Sequence, residues 1–404
     1  MSTYLPSSRQ PSQLAYISPV DAEPLNRYKP GGYHPILLGD LLHSQRYKVL
    51  HKLGWGGYST VWAARDTRKG AYAAIKICVA DSANARQPHA HSRELQTMKE
   101  LASHPPRPDH TVCMLDHFEL TGPNGCHLCL VYELLGPSIS DVADTFRGGR
   151  LPGKVAKSIA KQSLMALDEL HQVGIAHGDL HTRNLAFAMP CLDNVAEEQF
   201  LETLGKPETG LVHRRDGQRL DRQVPKYIVR PATPSTPLIN STQTVKLVDF
   251  GESFLRDNPP RTLHTPLVVR APEVIFGDRI DHQVDLWSMG CLLFELFTGQ
   301  PPFDNAMTTP PILIGQMREM ASDDLPERWM KLANTMRESK QADLPGISLQ
   351  EWLEEVYFDE AQTADLSREN VATLGRIIAR LLCFEPSARA SAREVLDEPW
   401  FHQL

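Results

Sequence analysis

Along the first third of the chain, apolar and polar residues fall into short runs with the spacing of strands. Arg46 to Lys52 and Thr60 to Ala64 flank a glycine cluster and Tyr72 to Cys78 comes next, which predicts a hairpin and a third strand. Ser92 to Leu101 has the spacing of a short helix, and His127 to Tyr132 that of a buried strand. From Pro152 the period lengthens: Val155, Ile159, Ala166, Leu167 and Leu170 are apolar at helical intervals, and Gly174 stands where a helix C-terminus favours positive φ. Asp285 to Phe297 is apolar nearly all round, which predicts a buried central helix closed by Gly299. A strand-rich front and a helix-rich back give an α+β chain with two lobes.

Residues 1 to 44, rich in Pro, Ser, Gly and Tyr, lack sustained periodicity and read as an extended arm, ordered in part where it meets the core. Between about Met189 and Gln243 lies a Pro-, Ser- and Thr-rich stretch with a basic centre (Arg214, Arg215, Arg219, Arg222, Lys226, Arg230), read as an insertion or long loop. The 404 residues are 41% apolar and 23% charged, within the range of folded soluble proteins. A net charge of −7 argues against direct binding to nucleic acid or an anionic membrane, and for a basic partner. No leader-like basic and apolar opening and no long uncharged apolar run is seen, so an intracellular protein without a membrane span is expected. Seven scattered cysteines fit a reducing compartment; Cys126 and Cys129 form a CxxC, but within a strand and without a second pair they do not argue for metal or redox use. The 16 histidines show no metal-binding spacing, and Trp287 is better explained as core.

The candidate chemistry begins at Leu53-Gly54-Trp55-Gly56-Gly57-Tyr58-Ser59-Thr60-Val61. Glycines at Gly54, Gly56 and Gly57 would let a backbone approach phosphate oxygens and offer N–H donors, although such a cluster also merely makes hairpin turns. Fifteen residues after Val61, Lys76 closes the apolar run Ala73-Ala74-Ile75. An ammonium there needs a partner, for which Glu94 on the next helix is suited, leaving it aimed at nucleotide phosphates; the alternative is a stem lying along the strand surface. Next come His177-Gly178-Asp179-Leu180-His181-Thr182-Arg183-Asn184 and Asp249-Phe250-Gly251. Asp179 can accept a hydrogen bond from a substrate hydroxyl, and Asn184 and Asp249 offer hard oxygen ligands suited to Mg²⁺ bridging nucleotide phosphates. Arg270-Ala271-Pro272-Glu273, Asp285 to Gly290 and Glu385 to Arg389 complete the series, with Glu273 and Arg389 expected to form a buried structural pair.

With these motifs in this order, the chain resembles the eukaryotic protein kinases from about residue 47 to 403. The resemblance implies a bilobal fold: an arm at 1–44, then a kinase domain at 45–404, with a small β-rich N-lobe at 45–135 holding one main helix. A larger helical C-lobe at 136–404 would carry insertions at about 190–243 and about 301–370. It implies ATP as substrate and Mg²⁺ as cofactor, with Ser59, Val61 and Ala74 at the nucleotide, Glu133 and Leu135 meeting the adenine through their backbones, and Tyr132 as gatekeeper. Lys76, Glu94, Asp179 and His181 would be the catalytic set, and Asn184 and Asp249 the metal ligands.

Gly31-Gly32-Tyr33-His34-Pro35, LGWGGYSTVW and the first insert resemble the SR-protein kinases, and the second insert resembles that of the larger kinase group containing them, which implies serine/threonine phosphorylation of Arg/Ser-rich protein substrates. A monomer in the cytoplasm with access to the nucleus is expected with it. Asp343 to Glu369 holds eight acidic residues (Asp343, Glu351, Glu354, Glu355, Asp359, Glu360, Asp365, Glu369) against Arg368, readable as a solvated face or as a docking surface for arginine-rich segments. The pattern departs from the family at Gly178, where arginine is usual, which argues against a phosphorylation switch and for activity without prior activation. It departs again at His181, where lysine is usual, and at Pro266, where threonine is. The rival readings are a pseudokinase or scaffold, and a small-molecule phosphotransferase, whose loop shares the His-Gly-Asp-x-His-x-x-Asn pattern.

Overall fold

A computed structural model describes residues 15–80, 92–106, 108–190, 192, 195–233, 240–303, 309–336, 347–359 and 364–402. Contacts divide these into a sheet unit (the described parts of Met1–Ala90, Cys113–Leu134 and Pro190–Ser235) and a helical unit (those of His91–Val112, Leu135–Met189 and Thr236–Leu404).

The sheet unit is built on six antiparallel strands in the order Leu41–Leu42, Tyr47–Gly56, Ser59–Asp66, Ala71–Cys78, Gly125–Glu133, Met114–Gly122. Alternation sorts the side chains: Trp62, Ala73, Ile75, Ile77 and Val131 enter a core shared with Ile36, Tyr47 and Phe118. Residues in register lie on one face, so Val61, Lys76 and Leu130 form one row and Ala74 and Tyr132 another.

The stretch read as an insertion or long loop is a folded layer on this sheet, grouped with the sheet unit rather than with the helical one. Its helix Glu197–Leu204 buries Phe200 and Leu204, and the Phe200 ring stacks on Tyr72 at 3.9 Å. The strands Thr209–Leu211 and Tyr227–Val229 pair with each other, and Val229 enters the sheet's own core. The described part of the arm packs with it: Tyr16–Ile17 pairs with His213–Arg214, and Tyr28 and Tyr33 pack among Val212, Val224 and Ile228. Lys52 alone would be costly at 0% exposure, but its ammonium meets the Glu23 carboxylate, to which Tyr28 also donates. Burial lowers the Lys52 pKa, and Glu23 opposes the shift. The basic centre is partly neutralised, Arg214 pairing with Asp216 at 2.7 Å and Asp221 at 3.0 Å.

In the helical unit, Gln283–Thr298 is the buried central helix, ended by Gly299 at φ 83°. Gly153–Gln172 packs along it, and Gly174 beyond its end has φ 75°. Helices Pro310–Met320, Glu327–Met336 and Leu349–Tyr357 fall in the second expected insert, with Arg368–Leu381 beyond them. The helix Arg93–Ser103, expected in the front lobe, groups here through its contacts with Phe250–Glu252 and Phe254–Leu255. Glu273 and Arg389 form the buried fork anticipated from sequence, with Nη1 to Oε1 at 2.6 Å and Nη2 to Oε2 at 2.7 Å. Among the described residues no helix is long and apolar enough to cross a membrane.

Candidate active site

The strands Tyr47–Gly56 and Ser59–Asp66 bring Gly54, Gly56, Gly57, Ser59 and Val61 to one hairpin end, with Gly56 in register with Ser59 and Gly54 with Val61. A simple tight hairpin would need glycine for positive φ. None of Gly54, Gly56 and Gly57 has it, and a Cβ on any of them would meet nothing within 4 Å. The fold itself therefore does not require these glycines, which fits a surface kept clear for an external group. Lys76 lies beside Val61 in register, half-buried, and Ala74 beside Tyr132. At the strand end the Glu133 carboxylate accepts from the Cys113 N–H at 2.7 Å.

In the helical unit, the strands Leu185–Ala188, Val245–Leu247 and Leu135–Ser138 form a small sheet that anchors the residues flanking each strand. Leu185 is in register with Leu247, and the Val248 N–H donates to the Asn184 carbonyl at 2.8 Å, so Asn184 and Asp249 flank adjacent strands side by side. His177 locks the arrangement. Its Nδ1 accepts from the Asp179 N–H at 3.2 Å, so the proton sits on Nε2, which donates to the Val248 carbonyl at 3.0 Å. Phe250, fully buried, meets the same imidazole edge-on at 5.0 Å.

Asn184 donates from Nδ2 to the Asp179 carbonyl at 2.8 Å and to Asp179 Oδ2 at 3.1 Å. The other carboxylate oxygen, Oδ1, is buried with no hydrogen-bond partner among the described residues. An unpartnered buried carboxylate oxygen is costly, and is tolerated where a substrate proton is to be received. Asp249 is held at φ 60°, in the left-handed region, where its Oδ1 accepts from the Gly251 N–H at 3.2 Å. The Asn184 amide oxygen and the Asp249 carboxylate supply the oxygen donors a hard divalent cation prefers, so the residues present fit Mg²⁺.

Below this loop Asp285 accepts from the His177 and Gly178 N–H groups, each at 2.8 Å, and meets His171 Nε2 at 2.8 Å. Burial raises its pKa, but the His171 bond, the nearby imidazoles of His171 and His177 and the Gly178 bond outweigh it and leave the carboxyl below its usual range. Glu94 is buried in the first turn of Arg93–Ser103, capped by Ser92, and its neighbour Arg93 lies 3.7 Å from Glu252. Glu94 and Leu135 belong to the helical unit, and Lys76 and the glycine turn to the sheet unit.

The departures have structural counterparts. Gly178 has φ 78°, and a Cβ there would lie 2.7 Å from the Glu252 carbonyl oxygen, so no side chain fits this backbone. His181 places Nε2 at 3.6 Å from Asp179 Oδ2 while its Nδ1 accepts from the Arg183 N–H. Thr265, one place before Pro266, is buried and donates to the Gly178 carbonyl at 2.7 Å. The sequence reading missed Arg270: it donates to the Thr265 carbonyl at 2.6 Å, burial lowers its pKa, and the charge of Asp179 opposes that shift. Its only signal was its place before Ala271-Pro272-Glu273.

Three carboxylates of the acidic stretch do structural work. Glu351 completes a capping box with Ser348, Glu354 pairs with Arg368 at 3.4 Å, and Asp365 accepts from the Gly153 N–H at 2.6 Å. Asp343 and Glu360 lie outside the described residues.

A profile of the protein kinase domain matches residues 47–190 and 234–401. The chain belongs to the protein kinase family and is an enzyme, a serine/threonine protein kinase. Over 393 residues it is 29% identical to a serine/threonine protein kinase of Aspergillus fumigatus, covering 94% of this chain and 90% of the relative. It is 28% identical to the serine/threonine-protein kinase SRPK of Physarum polycephalum (92% and 89% covered) and 26% identical to the protein kinase dsk1 of Schizosaccharomyces pombe (93% and 84%). The last two are SR-protein kinases.

Proposed function

We propose that the chain transfers the γ-phosphoryl group of ATP, with Mg²⁺, to serine or threonine hydroxyls in Arg/Ser-rich proteins. The observation that carries this reading is Asp179: one carboxylate oxygen held by Asn184, the other buried and without a partner among the described residues. In the proposed reaction Asp179 accepts the hydroxyl proton as the hydroxyl oxygen bonds to the γ-phosphorus, while the bond from that phosphorus to the oxygen bridging the β-phosphate breaks and ADP leaves. Asn184 and Asp249 would hold Mg²⁺, which neutralises charge on the phosphates when bound. Lys76 and Glu94 serve the same transfer, Lys76 as the cation for the α- and β-phosphates. Val61, Ala74, Tyr132, Glu133 and Leu135 receive the base, and the backbone at Gly54, Gly56, Gly57 and Ser59 the phosphates.

The Arg270 guanidinium supplies a cation near Asp179, and His181 stands where a lysine is usual, with Nε2 3.6 Å from Asp179 Oδ2. Retention of every metal and phosphate handle favours an enzyme over a scaffold. The Arg/Ser-rich class rests on the likeness to SR-protein kinases. With three carboxylates already engaged, the acidic stretch adds little to it. We read the protein as a monomer without direct nucleic-acid binding, in the cytoplasm with access to the nucleus. Incubation with labelled ATP, Mg²⁺ and either an Arg-Ser-repeat peptide or a generic basic protein tests the reading: label enters the repeat peptide preferentially. Equal labelling removes the substrate class, and no labelling of either removes the transfer.

A further inference from the structure

The glycine turn is held from outside the strands that form it. Tyr33 donates from its hydroxyl to the Gly56 carbonyl at 2.7 Å, and Arg27 donates from Nη2 to the Gly57 carbonyl. The next carbonyl, that of Tyr58, accepts from the Val79 N–H at 2.8 Å. Three successive carbonyls of the turn are thus occupied, two of them by side chains of the arm. In a trans peptide the C=O of one residue and the N–H of the next share a plane and point in opposite directions. Fixing the Gly56 and Gly57 carbonyls therefore fixes the Gly57 and Tyr58 N–H groups, two of the donors a phosphate would meet.

The arm is built to hold these two side chains still. Tyr33 is 2% exposed, edge-on to Tyr28 at 5.6 Å, and the Arg27 guanidinium lies over its ring at 5.3 Å. The Tyr33 carbonyl accepts from Asn124 Nδ2 at 2.6 Å, the Gly31 N–H donates to the Asn124 carbonyl at 2.9 Å, and the Ala80 N–H donates to the Gly32 carbonyl at 3.0 Å. Gly32 must be glycine, because a Cβ would fall 1.8 Å from the Arg27 carbonyl oxygen. Glu23, a few residues earlier, is buried against Lys52, just before the turn. A bare glycine turn would be free to rotate its peptide planes; this one is braced at both carbonyls.

We propose that Arg27 and Tyr33 are positioning residues that orient the N–H groups of the glycine turn for the phosphates of the nucleotide. The inference rests on the ATP reading above and deepens it, because it assigns part of the phosphate site to an arm outside the kinase-profile match.

The test is direct titration of the full chain with ATP and, separately, with adenosine, which lacks phosphates. Tyr33→Phe keeps the ring and loses one bond, Arg27→Ala loses the other, and Arg27→Lys keeps a donor. Each lost bond is expected to weaken ATP about fivefold, the double variant by more than either alone, with adenosine affinity unchanged and Arg27→Lys close to wild type. If the double variant binds ATP like wild type, or loses ATP and adenosine equally, the proposal fails while the ATP reading stands. A wild-type chain that binds neither ligand overturns both.

Discussion

Replacing Gly178 with alanine separates a backbone that cannot accept a side chain from one that merely lacks it. Two costs are expected. An L-residue at φ 78° carries about 1–2 kcal/mol of left-handed strain. The new Cβ would also lie 2.7 Å from the Glu252 carbonyl oxygen and 3.2 Å from Leu263 Cδ2, and the first of these is backbone that cannot swing aside. Overpacking of this kind costs about 1–3 kcal/mol, so the sum is about 2–5 kcal/mol. Gly277→Ala is the control, since Gly277 has φ 66° but nothing within 4 Å, and should show the strain alone. At about 2 °C per kcal/mol, thermal unfolding should fall by about 4–10 °C for Gly178→Ala and about 2–4 °C for Gly277→Ala. Gly178→Arg should lose at least as much as Gly178→Ala and gain no dependence on phosphorylation. Equal shifts for the two alanine variants would refute the steric argument.

Arg389→Lys keeps the charge but not the fork. Arg389 also donates to the carbonyls of Cys383 at 2.9 Å and Gln283 at 2.8 Å, so at least two buried acceptors lose their donor, for a loss of about 2–4 kcal/mol in urea unfolding; a loss below about 0.5 kcal/mol would contradict the assigned network. Asp285→Asn should cost about 3 kcal/mol at neutral pH, because the amide cannot accept from both the His177 and Gly178 N–H groups and His171 together. The folded-state pKa of Asp285 is depressed, so its contribution is present above the unfolded value near 4 and lost as pH falls below it. The stability gap between wild type and Asp285→Asn should therefore narrow in acid, and a gap constant from pH 7 to pH 3 would contradict the assignment.

Much of the fold was legible because its signals are local. The strands at Tyr47–Gly56 and Ala71–Cys78 and the helices Gly153–Gln172 and Gln283–Thr298 arise from periodicity and their closing glycines. The arm and the first insertion were placed from sequence, but the structure they form together was not legible. Tyr16–Ile17 finds its partner at His213–Arg214, nearly two hundred residues on, and such two-residue strands carry no pattern of their own. Lys52 reads as a polar strand residue until Glu23 is seen to bury with it. In the site, the motif residues were named in advance, but the need for Gly178 was not, because the Glu252 carbonyl that forbids a side chain comes from a distant segment. Arg270 was missed for the same reason: its relation to Asp179 depends on how the chain returns through Thr265 to the Gly178 carbonyl.

The proton-accepting role of Asp179 is tested most directly by Asp179→Asn, with ATP affinity titrated beside phosphate transfer to an Arg-Ser-repeat peptide. Transfer should fall by about 10²–10⁴-fold while ATP binds within about twofold of wild type. Transfer within about threefold of wild type would show that the proton goes elsewhere.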